Sequence, residues 1–313
     1  MEPNQSQQTT QPQLPSPRPP NFVQILDNVF REDAKKWVDY RKDAEYRHNP
    51  SSATAEIKGK VEGACLRQLY YKATKVTESD PQDPTNKYAA FMGDAVHFAI
   101  QRQLQKSREV SFMPETKGKV LVDGLTKEVS YRLDGLVSSN SQIGGLEIKT
   151  TQGEALHSKF YGIKVKGPKL DHLLQVITYF NSFPGLSWFV LFYIARDDGY
   201  KLQFDITRDG NKYKVFSLDG KDLSYLIEDV TFNSIVKRWA TLEDRLKHKI
   251  IPKRDYRVWL KDDGTIQDTK QIKGEKFKSD WRCGYCSFKT KCWSEPDARE
   301  NSYNAGATTG GTV

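Results

Sequence analysis

The chain contains no run of apolar residues long enough to span a bilayer, so a membrane-spanning helix is not expected. Its N-terminus, MEPNQSQQTTQPQLPSPRPP, is rich in Gln and Pro and has no hydrophobic signal region, which argues against secretion. No repeat period is evident, which excludes a repeat array. Cysteine is scarce: there are four in 313 residues. Secreted chains tend to pair cysteines as disulfides, whereas intracellular ones use them for metals or catalysis. The expectation is a soluble intracellular protein in which the spacing of those four residues matters. With 37% hydrophobic content and a mean hydropathy of −0.69, the chain suits one sizeable α/β domain with accessory pieces. Lys and Arg number 48 against 40 Asp and Glu, and the net charge of +8 favours a polyanionic partner without identifying one.

Residues 1–20 and the tail beyond Pro296, ending NAGATTGGTV, have little to bury and are expected to be disordered, leaving one domain over 21–295. Val23 to Tyr46 reads as a helix with Ile25, Val29, Trp37 and Val38 apolar. In EIKGKVEGACLRQLYYK, Ile57, Val61, Cys65 and Leu69 recur every four residues, which implies one helical face and an inward Cys65. Tyr88 to Ser107 reads as another helix, with Gly93 and His97 one turn apart. LDHLLQVITYF is a third, placing Gln175 and Tyr179 on a common face. WFVLFYIAR, residues 188–196, reads as a central strand buried on both faces, and KLQFDIT, 201–207, as its hairpin partner. A long helix is expected over Tyr225 to Ile250. After it, KRDYRVWL and KQIKGEKFK give basic, aromatic-bearing surface.

The stretch YRLDGLVSSNSQIGGLEIKT carries the most chemistry. Strand alternation sets Asp134 opposite Tyr131 and Leu133, and sets Glu147 and Lys149 together opposite Leu146 and Ile148. The loop SSNSQIGG lets the two strands fold back, so two carboxylates and a lysine converge. A solvated hairpin with an ion pair has the same residues. However, these charges stand inside hydrophobic runs, where charges are usually paired or metal-bound. Downstream, Lys159, Lys164, Lys166 and Lys169 interleave with Phe160 and Tyr161, a pattern suited to phosphate contacts and base stacking, or to a solvated basic loop. In WRCGYCSFKTKCW, Cys283 and Cys286 form CxxC and Cys292 follows after five residues; with Cys65 they make four thiols. Four thiolates suit tetrahedral zinc or an iron–sulfur cluster, and either would be structural, since phosphodiester hydrolysis calls for oxygen ligands and Mg or Mn.

Asp134, twelve residues, then Glu147-x-Lys149 resembles the PD-(D/E)XK nuclease superfamily. Gly93-x-x-x-His97 before the hairpin and Gln175-x-x-x-Tyr179 after it resemble the RecB-like branch. One cysteine before that core and CxxC-x5-C after it resemble the branch's iron–sulfur members, the CRISPR-associated iron–sulfur exonucleases and AddB-type nuclease domains. Cys65-x-Arg67-x-x-Tyr70 is similar to their first-cysteine helix, with Leu66 where a Pro is common. The resemblance covers roughly residues 55–293. It implies a restriction-endonuclease-like α/β core, a central mixed sheet flanked by helices over about 85–207, with a C-terminal iron–sulfur element at 283–292 joined by Cys65. It further implies that His97, Asp134, Glu147 and the Ile148 carbonyl hold Mg or Mn, and that Lys149 helps activate the attacking water. Gln175 and Tyr179 would flank the scissile strand, while Cys65, Cys283, Cys286 and Cys292 bind a 4Fe–4S cluster. The implied activity is a metal-dependent DNA exonuclease acting on single-stranded ends with 5′-to-3′ polarity in recombination, replication or repair. It would work in the cytoplasm of a bacterial or virus-infected cell, with a helicase or recombination protein as partner. The competing reading is an iron–sulfur DNA-binding or assembly module without catalysis.

Overall fold

The computed structural model describes Glu32 and residues 45–81, 86–139, 141–160, 162–260, 266–267, 269–272 and 275–295. Both expected disordered tails, Tyr161, and the helix expected over Val23–Tyr46 except Glu32, Glu45 and Tyr46 lie outside the described residues. Glu45 and Tyr46 are not helical.

The four-residue spacing of Ile57, Val61 and Cys65 does not produce a helix. Residues 54–63 are a hairpin of β1 (Thr54–Ile57) and β2 (Lys60–Gly63), with Ile57 opposite Lys60. The turn residues Lys58 and Gly59 both have positive φ, 50° and 74°, the backbone a tight hairpin requires. Helix α1 (Leu66–Ala73) begins only after Cys65, its N-cap residue. Helix α2 (Asn86–Leu104) matches the expected His97 helix.

A six-stranded mixed sheet follows, in the order β3–β4–β5–β6–β7–β8. Its strands are β3 (Ser111–Val120), β4 (Val129–Ser139), β5 (Gln142–Thr151), β6 (Trp188–Ala195), β7 (Lys201–Asp209) and β8 (Lys212–Ser217). Every pairing is antiparallel except β5 with β6. That parallel step needs a crossover, which short helices α3 (Gly153–His157) and α4 (Ile163–Lys166) and the longer α5 (Leu170–Ser182) provide. Edge strand β3 carries Pro114 and Gly118 and no residue that is fully buried, so its sequence, SFMPETKGKV, has none of the apolar weight of an inner strand. The β4–β5 turn is also tighter than the loop SSNSQIGG suggests. β5 starts at Gln142, and Gly144 and Gly145 lie inside it beneath the Trp188 and Phe189 rings. An added Cβ on Gly145 would come 2.3 Å from the ring of Phe189, which is itself fully buried. Gly145→Ala is therefore expected to cost about 2 kcal/mol, typical of overpacking, in a chemical-denaturation measurement.

The apolar face of α5, with Leu173, Leu174, Val176, Ile177 and Phe180, packs into one core with Leu133, Phe189, Leu191, Tyr193, Phe204 and Ile206 of the sheet. On β6 the residues Phe189, Leu191, Tyr193 and Ala195 are buried while the alternate ones are half-covered, so only one face of this strand is sealed. Helix α6 (Phe232–Lys247), shorter than the expected 225–250, starts where the Thr231 hydroxyl accepts the Ser234 amide and buries Ile235, Val236, Trp239 and Leu242. Beyond it come two short antiparallel ladders, β9 (Trp259–Leu260) with β10 (Ile266–Gln267) and β11 (Thr269–Ile272) with β12 (Glu275–Lys278). Helices α7 (Trp281–Gly284) and α8 (Lys289–Ser294) close the described chain. No helix among the described residues is long and apolar enough to cross a membrane.

His48 is fully buried, stacks on Trp239 with ring centroids 4.8 Å apart, and places Nε2 2.9 Å from Glu243 Oε1. Burial lowers its pKa despite the Glu243 contact. The unfolded chain thus binds this proton more readily, and the stability the neutral ring contributes is present above the ordinary histidine range, near 6.5, and lost as pH falls through it. Urea melts between pH 7.5 and 5 should show that loss, with a limiting slope of about 1.4 kcal/mol per pH unit for each such histidine, and His48→Gln should flatten it.

Candidate functional site

β4 and β5 are hydrogen-bonded only from Ser139–Gln142 up to Gly135–Leu146. Past that point β4 continues beside β3 and β5 continues beside β6, so the hairpin opens into a fork whose prongs begin at Asp134 and Glu147. Asp134 bridges the gap: its Oδ2 accepts the Ile148 amide at 2.7 Å, and its backbone carbonyl accepts Gln101 Nε2 at 2.8 Å. From α2, His97 Nδ1 lies 3.5 Å from the same Oδ2. Gly93, one turn earlier, is buried, and a Cβ there would meet Thr150 Oγ1 at 3.0 Å, so glycine permits the close approach of α2 to β5. Burial alone would lower the His97 pKa; the hydrogen bond and charge of Asp134, with the charge of Glu147, raise it instead.

Glu147 stands at the centre, its side chain only 6% exposed. Oε1 accepts Lys149 Nζ and Gln175 Nε2, each at 2.7 Å, while Oε2 is buried with no hydrogen-bond partner among the described residues. Burial, reinforced by the nearby Asp134 charge, raises its pKa against the pull of Lys149. Gln175 from α5 is fully committed. Its oxygen accepts Lys149 Nζ at 2.8 Å and its amide nitrogen also donates to the Tyr179 hydroxyl at 3.0 Å, which in turn donates to the Arg132 carbonyl at 2.7 Å. Burial raises the Tyr179 pKa well beyond the ordinary tyrosine range, so its oxygen keeps the proton it donates. One network thus ties both prongs of the fork to α5 and fixes the ammonium of Lys149 beside the unsatisfied carboxylate oxygen.

The four cysteines form a separate constellation. Cys65 before α1, Cys283 and Cys286 around α7 and Cys292 in α8 all line one cavity of about 280 Å³. Its floor is a satellite core of Leu66, Leu69, Tyr70, Tyr71, Leu242 and Phe288, against which Cys286 and Cys292 pack. Burial pushes the Cys65 and Cys283 thiols up to about 12, the latter helped by the charges of the other cysteines and Asp280. Arg67 and Arg254 converge on the Cys292 carbonyl at 3.2 and 2.7 Å, clasping α8 to α1 and to the chain after α6. Asp171, in the first turn of α5, also lines this cavity, so α5 begins at the cysteines and ends its first two turns at Gln175 in the fork.

The structure therefore gathers Asp134, Glu147, Lys149, His97, Gln175 and Tyr179 at the fork, with Ile148 contributing its amide, and gathers the four cysteines elsewhere. Among the described residues, no group of three or more His, Cys, Asp or Glu side chains is close enough to hold a metal ion as it stands. Lys159, Lys164, Lys166 and Lys169 have exposed side chains in and around α4, with Phe160 86% exposed beside them and Lys164 Nζ 5.8 Å from the centre of the Tyr200 ring. Two site residues escape the motifs. Gln101 follows His97 by one turn, a spacing that places it at the fork. His172, three residues before Gln175, reaches Tyr193.

No protein-family model and no curated protein matches the chain. Among solved structures the chain is similar to one titled "Crystal structure of SSO0001", with 14% identity over 88% of this chain and 98% of that one and a TM-score of 0.48.

Proposed function

We propose that the protein is a metal-dependent DNA exonuclease of the PD-(D/E)XK type, acting on single-stranded ends with 5′-to-3′ polarity. The observation that carries this reading is Glu147 Oε2, a buried carboxylate oxygen with no partner, set at a strand fork opposite Asp134 and next to Lys149. A buried carboxylate oxygen left without a hydrogen bond is costly, and a divalent cation is a ligand that satisfies it. The donors fit a hard ion: carboxylate oxygens of Asp134 and Glu147 and the Ile148 carbonyl suit Mg or Mn, and the His97 imidazole is a softer donor that Mn accepts more readily than Mg. When bound, such an ion supplies charge to the scissile phosphate and acidifies a water.

The chain's own residues do the rest. Lys149, held by Glu147 and Gln175, keeps a fixed positive charge where the attacking water loses its proton, and offsets the negative charge that develops on the phosphate. Gln175 and Tyr179 hold that lysine and Glu147 in place from α5. The exposed Lys159, Lys164, Lys166 and Lys169 with Phe160 offer phosphate contacts and a stacking surface for an entering strand. Cys65, Cys283, Cys286 and Cys292 would hold the 4Fe–4S cluster. They share one cavity, and the placing of one cysteine before the core with CxxC-x5-C after it is what favours the cluster over zinc, since four thiolates suit either. Its contribution is folding free energy, not hydrolysis.

The test is digestion of end-labelled single-stranded oligonucleotides with Mn or Mg, comparing free and blocked ends. Loss of label from free 5′ ends, with protection by a 5′ block, is the expected result. Binding without cutting under either metal overturns the enzyme reading and leaves a DNA-binding module.

A further inference from the structure

His172 belongs to neither motif set, yet it stands beside the reacting groups. It shares one face of α5 with Gln175 and Tyr179, at positions i, i+3 and i+7. Its Nδ1 lies 2.7 Å from the hydroxyl of Tyr193 on β6. Tyr193 pairs with Lys149 across the parallel β5–β6 ladder, so the two side chains stand next to each other on one face of the sheet. The Tyr193 oxygen also accepts the Lys169 backbone amide at 3.2 Å. The buried phenol proton has no acceptor other than Nδ1 among the described residues, so it is directed at Nδ1 and the imidazole proton then resides on Nε2. Nε2 has no hydrogen-bond partner among the described residues. Burial, with the nearby charges of Lys149 and Lys169, holds the His172 pKa well below the ordinary range, so the ring stays neutral at physiological pH. It is thus neither a general acid nor a base, but a neutral N–H donor in the field of the Lys149 and Lys169 charges. An anion is the ligand that such a corner accepts.

Resting on the nuclease reading, we propose that His172 is a further catalytic residue, whose Nε2–H donates a hydrogen bond to a non-bridging oxygen of the phosphate being cleaved. A neutral, preoriented donor stabilises charge that grows on that oxygen without having to reorganise. Tyr193 is the positioning residue that fixes the tautomer, as the second partner of a functional histidine commonly does.

Single-turnover cleavage by His172→Gln, His172→Asn and His172→Phe separates this role from anchoring Tyr193. The Gln amide nitrogen falls near the position of Nε2 and the Asn amide nitrogen near that of Nδ1. The expected result is that Phe and Asn lose about 10²-fold in cleavage rate, the size of losing one such donor, while Gln stays within about tenfold of wild type. Oligonucleotide affinity is expected to hold in all three, while the thermal midpoint falls by a few degrees in Phe, which leaves the buried Tyr193 hydroxyl without its acceptor. If Asn restores the rate and Gln does not, or if Phe cuts as wild type does, the donor role is overturned while the nuclease reading stands. If wild type itself does not cut, it is the nuclease reading that has failed. A ¹⁵N–¹H spectrum of the imidazoles in the unliganded wild type is an independent check: the His172 proton is expected on Nε2, and a proton on Nδ1 overturns the proposal even if the variants misfold.

Discussion

Asp134→Asn and Lys149→Met are each expected to lower cleavage by about 10³-fold or more, while oligonucleotide affinity stays within a few-fold of wild type. Affinity for a strand comes mainly from phosphate contacts made by exposed cations, whereas these two side chains sit in the fork, 15% and 21% exposed. Asn is preferable to Ala at position 134 because its amide oxygen can still accept the Ile148 amide. Ala would leave that amide unsatisfied at about 1–3 kcal/mol and confuse a folding defect with a chemical one. At position 149 the structural consequence is itself informative. Removing the ammonium leaves Glu147 buried without its cation, so Lys149→Met should destabilise the fold by about 3 kcal/mol unless Glu147 takes up a proton. Adding Glu147→Gln to Lys149→Met should recover that stability and none of the cleavage. Single-turnover rates, fluorescence anisotropy and denaturation on the four proteins check the set, and turnover within tenfold of wild type in either single variant removes the assignment of the fork as the active site.

Cys283→Ser should abolish the brown absorbance expected of the as-isolated protein and lower the thermal midpoint by roughly 10 °C, taking about 2–4 °C per kcal/mol for a chain of this size. The reason is where the four thiols sit. Cys65 opens α1 while the other three lie more than two hundred residues later, so the proposed shared metal group would fasten the two ends of the described fold together. The satellite core beneath, with Tyr71 and Phe288 fully buried, and the Arg67 and Arg254 contacts to the Cys292 carbonyl would remain, so the variant is expected to loosen at this end before the central sheet melts. Because α5 runs from the cysteine cavity at Asp171 to Gln175 at the fork, cleavage should fall as well, by less than in Asp134→Asn. A colourless wild type that is stable and active contradicts the cluster assignment and leaves the thiols as packed cysteines.

Much of this protein can be read from local sequence. The alternation around Asp134 and Glu147, the one-turn spacings of Gly93 with His97 and Gln175 with Tyr179, and the apolar run of β6 each follow from a periodicity of 2 or 3.6 and need no distant partner. Local rules also mislead where two periods coincide. Ile57, Val61 and Cys65 fit a helical face, but Lys58 and Gly59 reverse the chain between them, and a turn outweighs a pattern of three residues. Edge strand β3 escapes because it buries no residue fully and so needs no apolar sequence, and β8, KYKVFS, escapes because its alternation of buried Tyr213 and Val215 with exposed lysines is only four residues long. Tertiary structure alone decides that β4 and β5 part at the two carboxylates, since strand separation depends on which neighbour each prong takes, β3 or β6. It likewise decides that Gln175 closes the network on Glu147, that Glu147 Oε2 is left without a partner, and that His172 meets Tyr193 next to Lys149, all contacts between residues more than twenty positions apart. The sequence determines which groups the protein carries and on which faces; the fold determines which of them are buried together, and burial is what turns a carboxylate and a lysine into a site.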